Sequence, residues 1–151
     1  MESVNDIVFG KMIFDYSWER KDVLRMFDKE MPIKIVASAY TGEGIVDAQR
    51  EAYKHYMARE DEYRKTIPEA LLNYYLDNYE MISEEMDIPE QVDKDHISQE
   101  LIVKLIRITA LYFSRDGKYG YLCDCAWDEE HGISIVLSGD FPIIREQDYL
   151  F

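Results

Sequence analysis

The sequence predicts an α+β fold, an antiparallel sheet drawn from both ends of the chain with a helical hairpin packed on one face. Three observations carry that prediction. Runs rich in β-branched and aromatic residues precede Tyr40 and resume at Ile106. Between them, from Ile45 to Ile82, apolar residues recur at helical spacing. A chain of 151 residues with 47% hydrophobic content can bury a core without disulfide or metal, so residues 1–151 are read as a single domain.

The elements follow in order. Ile7 to Tyr16 reads as a first strand and Ser17-Trp18-Glu19-Arg20 as its turn. Lys21 to Phe27 reads as a second strand, although a short helix fits nearly as well. Asp28 to Pro32 is a polar connection, and Ile33 to Tyr40 completes a three-stranded meander. Ile45, Ala48, Ala52, Tyr56 and Tyr63 then mark the buried stripe of a helix. Thr66 and Glu69 have capping-box spacing with Pro68 in a first turn, so a second helix is expected there. Its stripe is Ile67, Leu71, Tyr74, Tyr75 and Ile82, and the tyrosines are read as core and rim packing. Residues 80–100 carry a run of carboxylates interrupted by Pro89 and read as an exposed loop.

Ser98 is an expected N-cap for a short helix holding Leu101, Ile102 and Leu105. Strand character returns from Ile106 to Phe113, and Asp116-Gly117 is a hairpin dipeptide. Along the next strand Tyr119, Tyr121, Cys123, Cys125 and Trp127 share one face, because side chains alternate. An acidic turn follows, and Gly132 is expected to take a positive φ before the strand Ile133 to Leu137. Phe141, Ile143 and Ile144 give a last strand, kept to an edge by Pro142, and the apolar C-terminus is expected to fold back.

The net charge of −14 disfavours direct binding of nucleic acid or of anionic membranes. It suits encounter with a basic protein. No signal peptide or membrane span is visible, so a cytoplasmic protein with reduced cysteines is expected.

The stretch Gly120 to Gly132 contains Trp127-Asp128-Glu129-Glu130-His131-Gly132. It resembles a family of small bacterial proteins of unknown function that share a Trp-Asp-x-Glu-His-Gly turn between two strands. Those proteins look like relatives of the immunity proteins encoded beside polymorphic or contact-dependent toxins. The resemblance covers roughly residues 101 to 148. It implies a protein that neutralises a cognate toxin by binding it, and it assigns no chemistry to any residue.

Three readings of the acidic turn compete. In the favoured one Trp127, Asp128, Glu130, His131 and Gly132 are structural: Asp128 caps the turn, Trp127 packs on the sheet, and His131 donates a hydrogen bond that locks the hairpin. In the second, Asp124, Asp128, Glu130 and His131 centre a small hydrolase-like or metal-dependent enzyme. Cys125 is then the candidate nucleophile, and Cys123, Cys125 and His131 are candidate zinc ligands with Asp128 or Glu130. The Cys-x-Cys spacing is not a zinc knuckle, so no cofactor and no metal is expected. In the third, a basic partner is held by carboxylates from Glu84, Glu85, Asp87 and Glu90 and from Asp128, Glu129 and Glu130. That partner is a cognate toxin, or a DNA-binding protein blocked by mimicry of DNA.

Overall fold

The computed structural model describes residues 2–151. Their strands form one sheet of eight, in which each strand lies beside its neighbours in sequence. The strands are β1 (Ser3–Asp6), β2 (Gly10–Asp15), β3 (Ser17–Met26), β4 (Lys29–Ala37), β5 (Ile106–Phe113), β6 (Tyr119–Cys125), β7 (Ile133–Val136) and β8 (Ile143–Glu146). Every pairing is antiparallel except β4 with β5. A parallel pair needs a long crossover. The helical segment supplies it: α1 (Asp47–Asp77), α2 (Tyr79–Glu85) and α3 (Gln99–Ile102) all lie between β4 and β5.

The α+β fold class is therefore the observed one, and the helical hairpin is corrected to one continuous α1. Thr66 does not cap a second helix. Its hydroxyl donates back to the Glu62 carbonyl at 3.1 Å, inside the helix. Pro68 sits within α1, where it removes one backbone donor at a cost of roughly 3 kcal/mol. Burial outweighs that cost. Tyr63, Ile67, Leu71 and Tyr75 stand in one fully buried stripe around the proline, and each such side chain contributes roughly 1.5–3 kcal/mol. At the other end Val46 offers no capping oxygen, and Gln49 Oε1 accepts the Val46 N–H instead, at 3.1 Å.

The first third also departs from expectation. Residues 7–9 turn, so the expected first strand becomes the hairpin β1–β2. The Asp6 carboxylate organises this turn by accepting the N–H groups of Val8 and Phe9, each at 3.0 Å. Tyr16 alone joins β2 to β3, with a positive φ of 67°. Phe27 and Asp28, both at φ 58°, join β3 to β4 across the pair Met26–Lys29. Two successive positive φ angles match the twist of a hairpin, but Phe-Asp lacks the glycine that would announce one. The expected connection from Asp28 to Pro32 is thus largely strand.

Arg50 of α1 clamps the β1–β2 turn by donating to Asp6 at 2.8 Å. Burial pushes the Asp6 carboxyl upward, and the Arg50 hydrogen bond with the two amides outweighs it, leaving the group below its ordinary value. A carboxylate lowered on folding stabilises the fold above its unfolded pKa, and that contribution disappears as pH falls through the folded value. Asp6→Asn is accordingly expected to cost about 2 kcal/mol at neutral pH. In urea titrations across pH, the gap to wild type should close below about pH 4. A gap that persists in acid would show that the carboxylate charge is not the source.

The C-terminal half matches its sequence more closely. Ser98 Oγ accepts the Leu101 N–H at 3.2 Å and caps α3. Gly117, at φ 93°, closes the β5–β6 hairpin. The alternation of β5 slips between Ile108 and Ala110, where a bulge re-aims Leu111 and Phe113 into the core. Leu150 folds back and is buried, while Phe151 stays exposed with its ring against Tyr112.

Between α1 and the sheet lies a set of paired phenols. Tyr63 and Tyr119 share a hydrogen bond of 2.6 Å, and His55 Nδ1 reaches the Tyr119 hydroxyl at 2.6 Å. Tyr56 and Tyr121 pair with each other. Burial pushes all four phenols above their ordinary pKa. Tyr56 and Tyr63 of the helical stripe are core residues whose hydroxyls are satisfied by Tyr121 and Tyr119 of β6, as buried polar groups must be.

Candidate functional site: the acidic pole

The strand β6 places Cys123 and Cys125 on the covered face and Asp124 on the outer one, as alternation requires. Both thiols are buried. Burial raises Cys123 far above its ordinary range and pushes Cys125 up to about 12. Both lie in the hydrophobic core, where they pack as small apolar side chains. Asp124 is held by Arg107 across the outer face of the sheet. Of Asp124, Asp128, Glu130 and His131, the pair in contact is Asp128 and His131, at 3.2 Å. Among the described residues, no group of three or more His, Cys, Asp or Glu is placed to hold a metal ion.

The turn itself is built from Asp128. Its Oδ1 accepts the His131 backbone N–H at 3.1 Å, and its carbonyl accepts the Gly132 N–H at 2.8 Å. Gly132 takes φ 73°, as expected, and its α-carbon passes so close to β6 that a Cβ would lie 2.3 Å from the Cys123 carbonyl oxygen. The expected hydrogen bond from His131 is present, donated by its backbone N–H and seconded by its ring. That ring is 71% exposed and makes a 3.2 Å contact to Asp128, so the backbone bond does the closing. His131→Ala is expected to change stability by no more than about 0.5 kcal/mol, against about 1 kcal/mol for Asp128→Ala. Chemical denaturation of the two variants checks the order, which would be reversed if the imidazole were the lock.

Trp127, at the root of the turn, packs against α1. It lies 6.2 Å from the Tyr74 ring in a near-parallel stack and 5.6 Å from the Tyr75 ring. Tyr75 in turn donates to the Val92 carbonyl at 2.6 Å. One helical turn thus ties the 128–131 turn to the acidic segment after α1, two stretches that lie far apart in sequence. Burial pushes the Tyr75 phenol up to about 12, so this tie is intact at physiological pH.

The expected loop at 80–100 is corrected as well. It contains α2, a 3₁₀ turn at Glu90–Val92 and the start of α3, and Ile82 and Val92 anchor it in the core. Glu84, Glu85, Asp87 and Glu90 stand on its exposed side, and Glu129 and Glu130 on the exposed side of the turn. Among the described residues these six form no ion pair. Asp128 faces His131, and Asp93 faces His96 at 2.6 Å. The last turn of α1 carries no basic residue, so the negative end of its dipole adds to the same field.

Sequence reading found these carboxylates but missed what gathers them. Tyr74 and Tyr75 were legible as a buried stripe, and nothing in their spacing says that one touches Trp127 and the other holds Val92. No helix of the described residues is long and apolar enough to cross a membrane.

Comparison with known proteins gives one match. The family described as a domain of unknown function (DUF6985) matches residues 8–149, a span that takes in the N-terminal half as well as the Trp127 turn. No curated protein and no solved structure matches the chain.

Proposed function

We propose that this chain, which belongs to the DUF6985 family of domains of unknown function, is an acidic binding protein that neutralises a basic protein partner by covering its cationic surface. In this reading the partner is a toxin encoded beside it, the protein acts in the cytoplasm as its immunity protein, and there is no turnover. The observation that carries the reading is a set of exposed carboxylates that form no ion pair among the described residues, on two segments that Tyr74 and Tyr75 tie to the same end of α1: Glu84, Glu85, Asp87, Glu90, Glu129 and Glu130. An anchored surface of one sign speeds encounter with its opposite and loses little freedom on binding. The Trp127 to Gly132 turn resembles that of small bacterial proteins which look like relatives of immunity proteins, and this is the ground for choosing a toxin.

The test uses the purified product of the adjacent gene. Binding is expected to weaken steeply as salt rises, because exposed charges are screened within about 10 Å at 0.1 M. Replacing Glu84, Glu85, Asp87 and Glu90 with glutamine should lower the association rate roughly tenfold and leave dissociation nearly unchanged. Binding insensitive to salt and to these substitutions would sink the mechanism.

A further inference from the structure

Among the described residues, three that are not glycine hold a left-handed backbone: Tyr16, Phe27 and Asp28. A side chain is disfavoured there, and glycine or asparagine would hold the same turn with less strain. Asp28 is of a type that tolerates this region. Phe27 is half-buried and packs against the core. Tyr16 has neither explanation. Its side chain is 92% exposed, so the fold keeps a bulky ring at a strained position without using it.

A second ring is displayed at the same end of the sheet. The start of β3 pairs with the end of β4, Trp18 with Ala37, so the Tyr16 turn and the loop after Ala37 leave the sheet together. In that loop Tyr40 is 81% exposed. The loop is firmly held: the Tyr40 N–H donates to Glu43 Oε1 at 2.7 Å, Trp18 Nε1 to the Glu43 carbonyl at 2.9 Å, and Arg115 to the Gly44 carbonyl at 3.0 Å. Rings presented on rigid supports lose little entropy when covered, which is how tyrosine serves as an anchor at protein interfaces.

Charge selects the partner. Asp15 adjoins Tyr16, and the Glu2 carbonyl accepts the Phe14 N–H at 2.9 Å, which brings Glu2 alongside. Both residues are exposed, and among the described residues neither forms an ion pair. Open ring faces beside unpaired carboxylates favour a cation, and arginine above all. A second copy of this chain, at net charge −14, would be repelled.

We propose that Tyr16 and Tyr40 form an aromatic contact surface for an arginine-bearing segment of a protein partner. This surface lies at the end of the sheet opposite the acidic pole, and either can fail without the other. The test is an amide-resolved NMR titration of the full chain with a short arginine–glycine peptide, beside its citrulline counterpart. Shifts are expected at Asp15 to Ser17 and at Tyr40 to Glu43, with none from citrulline. Tyr16→Gly and Tyr40→Ala should each weaken that binding roughly threefold, the effect of one exposed cation–π contact, with no fall in Tm. Shifts confined to Glu84–Glu90 and Glu129–Glu130 would overturn this inference and leave the acidic-pole reading standing. Shifts at the tyrosines that survive both substitutions, or no binding at all, would also overturn it.

Discussion

Alanine at Gly132 is expected to cost roughly 4 kcal/mol or more, enough to leave little folded protein. Two effects combine. The backbone at φ 73° disfavours any side chain, and the new Cβ would stand 2.3 Å from the Cys123 carbonyl oxygen, which is sheet backbone and cannot swing aside. Gly120→Ala should be as severe for the second reason alone, with its Cβ 2.1 Å from the Ile135 carbonyl oxygen. Gly139 is the control, since a Cβ there meets nothing within 4 Å and Gly139→Ala should be neutral. Far-ultraviolet circular dichroism and urea denaturation of the three variants decide the matter. A Gly132→Ala protein with the wild-type midpoint would mean that β6 and the turn do not approach as described.

The second large effect is expected at Gln49, which is fully buried. Its amide donates to the Ser38 carbonyl at 2.9 Å and the Phe113 carbonyl at 3.1 Å, while its oxygen accepts the Val46 N–H. It thereby ties the exits of the parallel pair β4 and β5 to the first turn of α1. Gln49→Leu keeps the packing and removes all three bonds. Ser38 and Phe113 each retain another donor, Arg115 and the Ser38 N–H respectively, so the orphan is the Val46 N–H. The expected cost is about 2–3 kcal/mol.

Gln49→Glu should be worse at neutral pH, because a buried carboxylate would face two carbonyl oxygens. Its carboxyl pKa would be raised on folding, so its stability should be highest below the unfolded value of about 4.3 and fall as pH rises. Denaturation at acid and neutral pH separates the two variants. Equal stability of Gln49→Glu at both would show that the side chain is not enclosed as described.

How much of this was legible follows from the range of each interaction. Gly117 and Gly132 were readable because a turn of known composition demands a positive φ locally. Ser98 was readable because a cap bonds within its own helical turn. Local patterns also misled where tertiary contacts outweighed them. Thr66, Pro68 and Glu69 have the spacing of a helix start, but the buried stripe through Tyr63, Ile67 and Leu71 carries α1 straight past them. The turn at Phe27-Asp28 has no signature, because core packing of Phe27 holds a backbone its residue type would avoid.

The candidate site divides in the same way. Composition alone identified a strongly acidic chain and the two stretches that carry its charge. It could not show that Trp127 stacks on Tyr74 and that Tyr75 holds Val92, contacts that join those stretches at one end of α1. Nor could it show that Tyr16 is strained and exposed. The sequence by itself determined the α+β class, the residues of β6 that share one face and the sign of the surface, because these depend on residue periodicity and summed charge. Tertiary structure decided the single long helix, the one parallel pairing and the gathering of carboxylates at a pole. Those depend on contacts between residues distant in the chain, where packing outweighs local preference.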